Sequence, residues 1–159
     1  MTIIKAVDVG EVTRAILQML NDHPAIGNSN VAIERSGEPP DDPGPFGWVG
    51  IYRSQASFNP RALGYGSGYR DHKIRLCVHV RMSNLDSPEG CEDDIETLIA
   101  NIVGTILSDE TLKGTVDNLA PEFTVQYQKQ QIEPDKDEDA YWIQVANIFF
   151  EAETTVKEG

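Results

Sequence analysis

The chain has 159 residues, a length typical of one domain, and its 40% hydrophobic and 25% charged content is that of a globular protein. Its formal net charge of −13 predicts repulsion from DNA and from anionic membranes, so we expect no stable nucleic-acid binding and no membrane partner. Two cysteines, Cys77 and Cys91, indicate reduced thiols and no disulfide framework. We also expect neither a signal peptide nor a membrane span, because no long apolar run is present.

The first third of the chain predicts a helix and two short strands. Asp8 can cap a helix that carries an apolar stripe and that ends near Asn21, ahead of His23-Pro24. Residues 31–34 and 48–52 favour strands. The proline-rich stretch between them predicts a flexible loop over residues 36–46.

Residues 54–70, "SQASFNPRALGYGSGYR", combine glycines and aromatics with little periodicity. Long loops inside compact domains are usually functional or disordered, so we expect a flexible loop here that becomes ordered on a partner. The residues expected to dock are Phe58, Arg61, Tyr65 and Tyr69.

Residues 73–82 give the clearest strand pattern. Apolar side chains from Ile74 to Met82 alternate with Lys73, Arg75, Cys77, His79 and Arg81. The second set is a basic stripe in an acidic protein. It is either an outer face paired with the excess carboxylates or a docking face for an acidic neighbour, and Arg75, His79 and Arg81 are candidate subunit-interface residues.

A second helix is predicted after Ser87-Pro88, with an apolar stripe from Cys91 to Ile106 that should anchor the core. A short turn ending at Gly114 and a strand over 122–128 follow. The final strand, within residues 139–155, is apolar on both faces. One face must pack on the helices, and the other should meet another subunit, with Trp142, Ile148 and Phe150 as candidate interface residues.

This order of elements predicts a single α+β domain over residues 1–159, with a mostly antiparallel sheet and two main helices packed on one face. No catalytic, cofactor-binding or metal-binding residues are expected. His72 and His79 should lie on opposite faces of their strand, "GYGSG" lacks the ending of a phosphate loop, and the alternating aspartates from Asp135 lack the glycine of a calcium loop.

The second half of the chain resembles a known family. "IETLIANIVGTILSDETLKGTVDNLAPEFTVQYQ" followed by "YWIQVANIFFEAETTV" is similar to the tail terminator and tail completion proteins of long-tailed bacteriophages. The shared pattern is a long helix, a "TLGGTV"-like turn, a strand, and a long last strand. The turn here is Leu112-Lys113-Gly114-Thr115-Val116, with Lys113 where a second glycine would stand. The resemblance covers roughly residues 89–156.

This resemblance implies a structural virion protein and not an enzyme. Such subunits form a homo-oligomeric ring, commonly a hexamer, which caps the head-proximal end of the tail tube and stops its polymerisation. Further partners would then be the tail tube protein and the head–tail connector protein. The protein would be located in the virion tail after assembly in the host cytoplasm. The alternatives are another neck or connector subunit, a non-viral oligomeric adaptor domain, or a small enzyme.

Overall fold

The computed structural model describes residues 6–27, 31–38, 47–60, 69–84, 87–132 and 141–157. The helices are α1 (Val9–Asp22), α2 (Pro24–Gly27) and α3 (Pro88–Leu107). The strands are β1 (Val31–Arg35), β2 (Gly47–Pro60), β3 (Tyr69–Asn84), β4 (Asn118–Leu119), β5 (Thr124–Ile132) and β6 (Tyr141–Lys157).

The six strands form one mixed sheet in the order β1-β2-β3-β6-β4, and β5 also pairs with β6. Strands β1 and β2 are parallel, and the other pairs are antiparallel. Helices α1 and α3 pack on the sheet and against each other. The α+β prediction, with a mostly antiparallel sheet, is confirmed.

Both long helices begin where the sequence predicts. The Asp8 carboxylate accepts hydrogen bonds from the backbone N–H groups of Gly10 (2.8 Å) and Glu11 (3.4 Å). The Ser87 hydroxyl accepts one from Gly90 (2.9 Å), and Pro88 follows it in the first turn of α3. These side chains satisfy amides that have no partner inside the helix, and they thereby fix where each helix starts.

The core lies between the helices and one face of the sheet. Strand β3 contributes Ile74, Leu76, Val78 and Val80, and β6 contributes Ala146, Ile148, Phe150 and Ala152, in register opposite them. The predicted stripe of α3 packs on these residues. Alternation along the two central strands therefore places every other residue in the core, as predicted for β3.

The expectation of a loop over residues 54–70 is wrong at both of its ends. Residues 54–60 continue β2 and residues 69–70 begin β3, as two arms of a hairpin paired from Gly47–Met82 to Pro60–Arg70. A register shift between Arg53 and Gln55 marks a β-bulge. The glycines of this stretch, which disfavour strands, all lie at 64–68 and leave residues 54–60 able to adopt an extended conformation. Pairing with β3 then supplies the hydrogen bonds of this extended segment.

Several predicted features lie outside the described residues. Among them are Arg61 and Tyr65, the "GYGSG" stretch, residues 39–46 of the proline-rich segment, and the aspartates at 135–139. The described start of the proline-rich segment lies beside β2, since the Tyr52 hydroxyl donates a hydrogen bond to the carbonyl oxygen of Gly37. Ser36 also donates its backbone N–H to Ile51 (3.0 Å).

The turn after α3 is built around left-handed backbone. Leu112, Lys113 and Gly114 have φ angles of 47°, 59° and 79°, a region that favours glycine. The Asp109 carboxylate holds the turn, because it accepts hydrogen bonds from the Thr111 hydroxyl (2.6 Å) and the Lys113 backbone (2.9 Å). These bonds lower the pKa of Asp109. The turn buries Leu112 in the core and directs the chain into β4.

His72 joins the segment before α1 to the hairpin. It is buried on the helix side of β3, its Nδ1 accepts a hydrogen bond from the backbone N–H of Val7 (3.3 Å), and the Phe58 ring contacts it edge-on at 4.7 Å. Burial lowers the pKa of His72, as does the nearby charge of Arg70, while Asp71 opposes both. A protonated Nδ1 could no longer accept the Val7 bond.

We therefore predict that His72 makes the protein less stable in acid. An unfolded histidine takes up a proton near pH 6.5, whereas the folded His72 resists protonation to lower pH. The free energy of unfolding should be flat above this range and should fall as pH decreases through it. His72→Gln keeps an acceptor but cannot titrate, so its denaturation curves from pH 8 to 5 should lose this part of the slope. Parallel curves for the two proteins would contradict the prediction.

Candidate functional site: the outer face of the sheet

The candidate site is the sheet face opposite α1 and α3, which we call the outer face. It is formed by the alternate residues of β2, β3 and β6 that point away from the core. Its main members are Trp48, Tyr52, Lys73, Arg75, Cys77, His79, Arg81, Val145, Asn147, Phe149 and Glu151. Within the described ranges, both long helices pack on the opposite side of the sheet.

The basic stripe predicted on β3 lies on this face and is partly neutralised within it. Arg75 lies opposite Glu151 in the register, and its Nε is 3.3 Å from the Glu151 carboxylate. Arg75 also donates to the Gln55 amide oxygen (3.4 Å). The prediction of pairing with carboxylates of the same sheet is therefore confirmed for Arg75. Exposed pairs of this kind contribute only about 0.2–1 kcal/mol, so they set register more than stability.

His79 and Cys77 share one polar partner on β6. His79 Nδ1 lies 2.8 Å from the Asn147 Oδ1, and the Cys77 thiol donates to the same oxygen at 3.7 Å. Burial raises the pKa of Cys77, which keeps the thiol protonated. Because the thiolate is the nucleophilic form, this arrangement disfavours covalent catalysis. His72 lies on the other face of β3, so the two histidines are separated as predicted.

The assignment of the interface residues on β6 requires correction. Ile148 and Phe150 are 0% and 4% exposed and pack in the core of the chain itself. Trp142, on the same side of the strand, is half-buried at its start. The outward apolar side chains are instead Val145 and Phe149. Sequence alternation identifies two faces but does not say which one the helices cover. Small residues such as Ala146 on the even-numbered face allow close packing of α3.

An aromatic cluster that the sequence analysis did not single out covers one end of the outer face. The Trp48 ring is buried over Gly50, where an added Cβ would lie 2.4 Å from the Trp48 ring and 2.8 Å from the Tyr52 ring. The Trp48 indole donates to Glu34 (3.3 Å) and contacts His79 edge-on at 5.9 Å. The signal was present in the alternation of Trp48, Gly50 and Tyr52, which places all three on one face.

We predict opposite effects for two glycine substitutions. Gly50→Ala forces the Trp48 ring off the sheet and should cost about 1–3 kcal/mol, as overpacking usually does. Gly104→Ala is the matched control, since no side chain and no other element lies within 4 Å of the added Cβ at this exposed position of α3, and the substitution should stabilise the protein by about 0.5–1 kcal/mol. Urea denaturation followed by tryptophan fluorescence measures both. An unchanged midpoint for Gly50→Ala would show that the cluster adapts without strain.

A cavity of about 410 Å³ opens on the outer face beside Phe149. It lies next to the segment that connects β4 to β5, two strands that pair with the same side of β6. Arg75, Glu122 and Glu151 line it together with Phe149. In the part of the chain that the structure describes, no group of three or more His, Cys, Asp or Glu residues is arranged to hold a metal ion. Nor is any helix of the described residues long and apolar enough to cross a membrane.

Comparison with known proteins adds no assignment to this geometry. No protein-family model matches the chain, and no curated protein is significantly similar to it.

Proposed function

We propose that the chain is a structural subunit of a bacteriophage tail. It would form a homo-oligomeric ring, a hexamer by the family pattern, at the head-proximal end of the tail tube. Its partners would be further copies of itself, the tail tube protein and the head–tail connector protein. The proposal rests on the resemblance over residues 89–156, together with an α+β fold of the implied kind.

The observation that carries the proposal is the outer face. Val145 and Phe149 are half-buried apolar side chains at the centre of a sheet face that no helix in the described ranges covers. Apolar patches rimmed by polar and charged groups usually mark protein association. Here the rim includes Arg75, Glu151 and His79. If a neighbouring copy covers this face, both faces of the sheet are buried, although the chain's own helices cover only one of them.

The charge of the chain is compatible with a ring around passing DNA. With a net charge of −13, such a ring would repel the duplex and let it slide. The exposed carboxylates would be the lining, and the basic stripe would face protein, where Arg75 already pairs with Glu151.

A charge at the centre of the outer face should prevent assembly without unfolding the subunit. Phe149→Glu places a carboxylate where a neighbour would bury it, at a cost of several kcal/mol. Leu107→Glu is the matched control, since Leu107 is an exposed apolar residue at the end of α3. Sedimentation velocity should show large, concentration-dependent species for the wild type and for Leu107→Glu, and folded monomers for Phe149→Glu. Equal assembly of all three would remove the outer face from the interface.

The same proposal predicts that the subunit ignores duplex DNA. Electrostatic binding is strongest at low salt, so a mobility-shift assay there is the most sensitive test. We expect no retardation of the duplex. Retardation that disappears in the Arg75→Glu, Arg81→Glu variant would assign the basic stripe to nucleic-acid binding instead.

A further inference from the structure

A second groove lies on the other side of the sheet, between α3 and the strand β5. Glu92 and Glu96 of α3 form one wall, Tyr127 and Gln128 of β5 form the other, and Gln144 of β6 lies between them. Its volume is about 410 Å³, within the range of roughly 300–1,000 Å³ that accommodates small ligands or single long side chains. None of the roles proposed above uses this groove.

Two side chains of the groove have binding capacity that the single chain does not use fully. Tyr127 is a large aromatic residue with 55% of its surface exposed, and its hydroxyl donates to the Glu96 carboxylate at 3.4 Å. Gln144 is only 5% exposed, yet its side-chain amide makes no hydrogen bond within the described part of the chain. The amide atoms of Gln144 are not fully enclosed, so they can form a hydrogen bond to a group that enters the groove.

The lining groups together suit a guanidinium ion. Glu92 and Glu96 supply carboxylates that accept charge-assisted hydrogen bonds, and the Gln144 amide oxygen supplies a neutral acceptor. The Tyr127 ring supplies a face on which a planar cation stacks. Arginine matches this set better than lysine, because its five donors are spread in a flat fork.

We propose that the groove receives an arginine from the β2–β3 hairpin of a second copy of the chain. This rests on the proposed function and defines one contact of the ring. The hairpin region, residues 47–84, carries one carboxylate, Asp71, against six cations: Arg53, Arg61, Arg70, Lys73, Arg75 and Arg81. Helix α3 carries no cation and five carboxylates: Glu89, Glu92, Asp93, Asp94 and Glu96. The chain is therefore strongly acidic overall but complementary to itself in these two regions.

Arg53 is the donor that the structure makes most available. Its side chain is exposed on the side of β2 that carries the helices, opposite Leu76 in the register, and it makes no hydrogen bond or ion pair to any residue that the structure describes. The groove and the hairpin are different surfaces, so the contact is head-to-tail. Contacts of that type close into rings when the rotation between subunits permits it.

Charge reversal on each surface tests the contact. Glu92→Lys, Glu96→Lys and, separately, Arg53→Glu should each raise the dissociation constant of the assembly about 100-fold or more, because a like-charge pair replaces an attractive one. Glu92→Gln, Glu96→Gln removes only charge and should weaken assembly less. Asp22→Lys, Glu110→Lys is the matched control, since it makes the same net change at exposed positions outside the groove and outside the acidic half of α3.

Mixing the two charge-reversed variants gives the decisive measurement. Each reversed variant alone should sediment as a folded monomer. An equimolar mixture should assemble, because the reversed hairpin meets the reversed groove and the native hairpin meets the native groove. Assembly of Glu92→Lys, Glu96→Lys at wild-type strength, with a wild type that does assemble, would overturn this contact and leave the proposed function standing. A wild type that is monomeric at every concentration would instead remove the proposed ring itself.

Discussion

The position of β6 in the centre of the sheet is the constraint on which the rest of the structure depends. This strand pairs with β3 along sixteen residues, Asn84–Trp142 to Tyr69–Lys157, and with β4 and β5 on its other side. Its even-numbered residues pack on α3, so its odd-numbered residues must face away from the core. Because β3 follows the same alternation in register, its cations are carried to that face as well. The outer face, with Phe149 at its centre, is thus a consequence of core packing.

Charge is organised by the same arrangement. Cations concentrate on the hairpin formed by β2 and β3, and carboxylates concentrate on the first half of α3. Glu151 neutralises part of the hairpin within the subunit through Arg75. The remaining separation leaves a basic surface on the hairpin and an acidic groove beside α3, and the proposed head-to-tail contact between copies would bring the two together.

Much of the fold was predictable because local chemistry and tertiary structure agree. Asp8 and Ser87 cap their helices, the apolar stripe of α3 faces the core, and the alternation from Lys73 to Met82 assigns both faces of β3. A fold can be predicted from its sequence where helix capping, hydrophobic pattern and core packing all favour the same structure. The separation of His72 from His79 followed from the same alternation.

The features that could not be predicted depend on contacts between residues far apart in the chain, which no local sequence pattern indicates. Residues 54–60 have no strong strand pattern and become a strand because β3 supplies the hydrogen bonds. The two faces of β6 are similarly apolar, so the sequence analysis placed Ile148 and Phe150 at an interface although α3 buries them. The groove at Gln144 joins residues from α3, β5 and β6, and no spacing within the chain indicates that they meet.

The central claim, that the outer face is buried by neighbouring copies, is tested most directly by the reactivity of the native cysteines. Cys77 lies half-buried on the outer face beside Phe149, whereas Cys91 is buried in the core and donates its thiol to the Met82 carbonyl (3.3 Å). Burial raises the pKa of both thiols, so labelling is best followed at alkaline pH. The account predicts that Cys77 reacts in dilute protein and becomes protected as concentration rises, while Cys91 stays protected throughout. A Cys77 labelling rate that does not change across the assembly transition would contradict it.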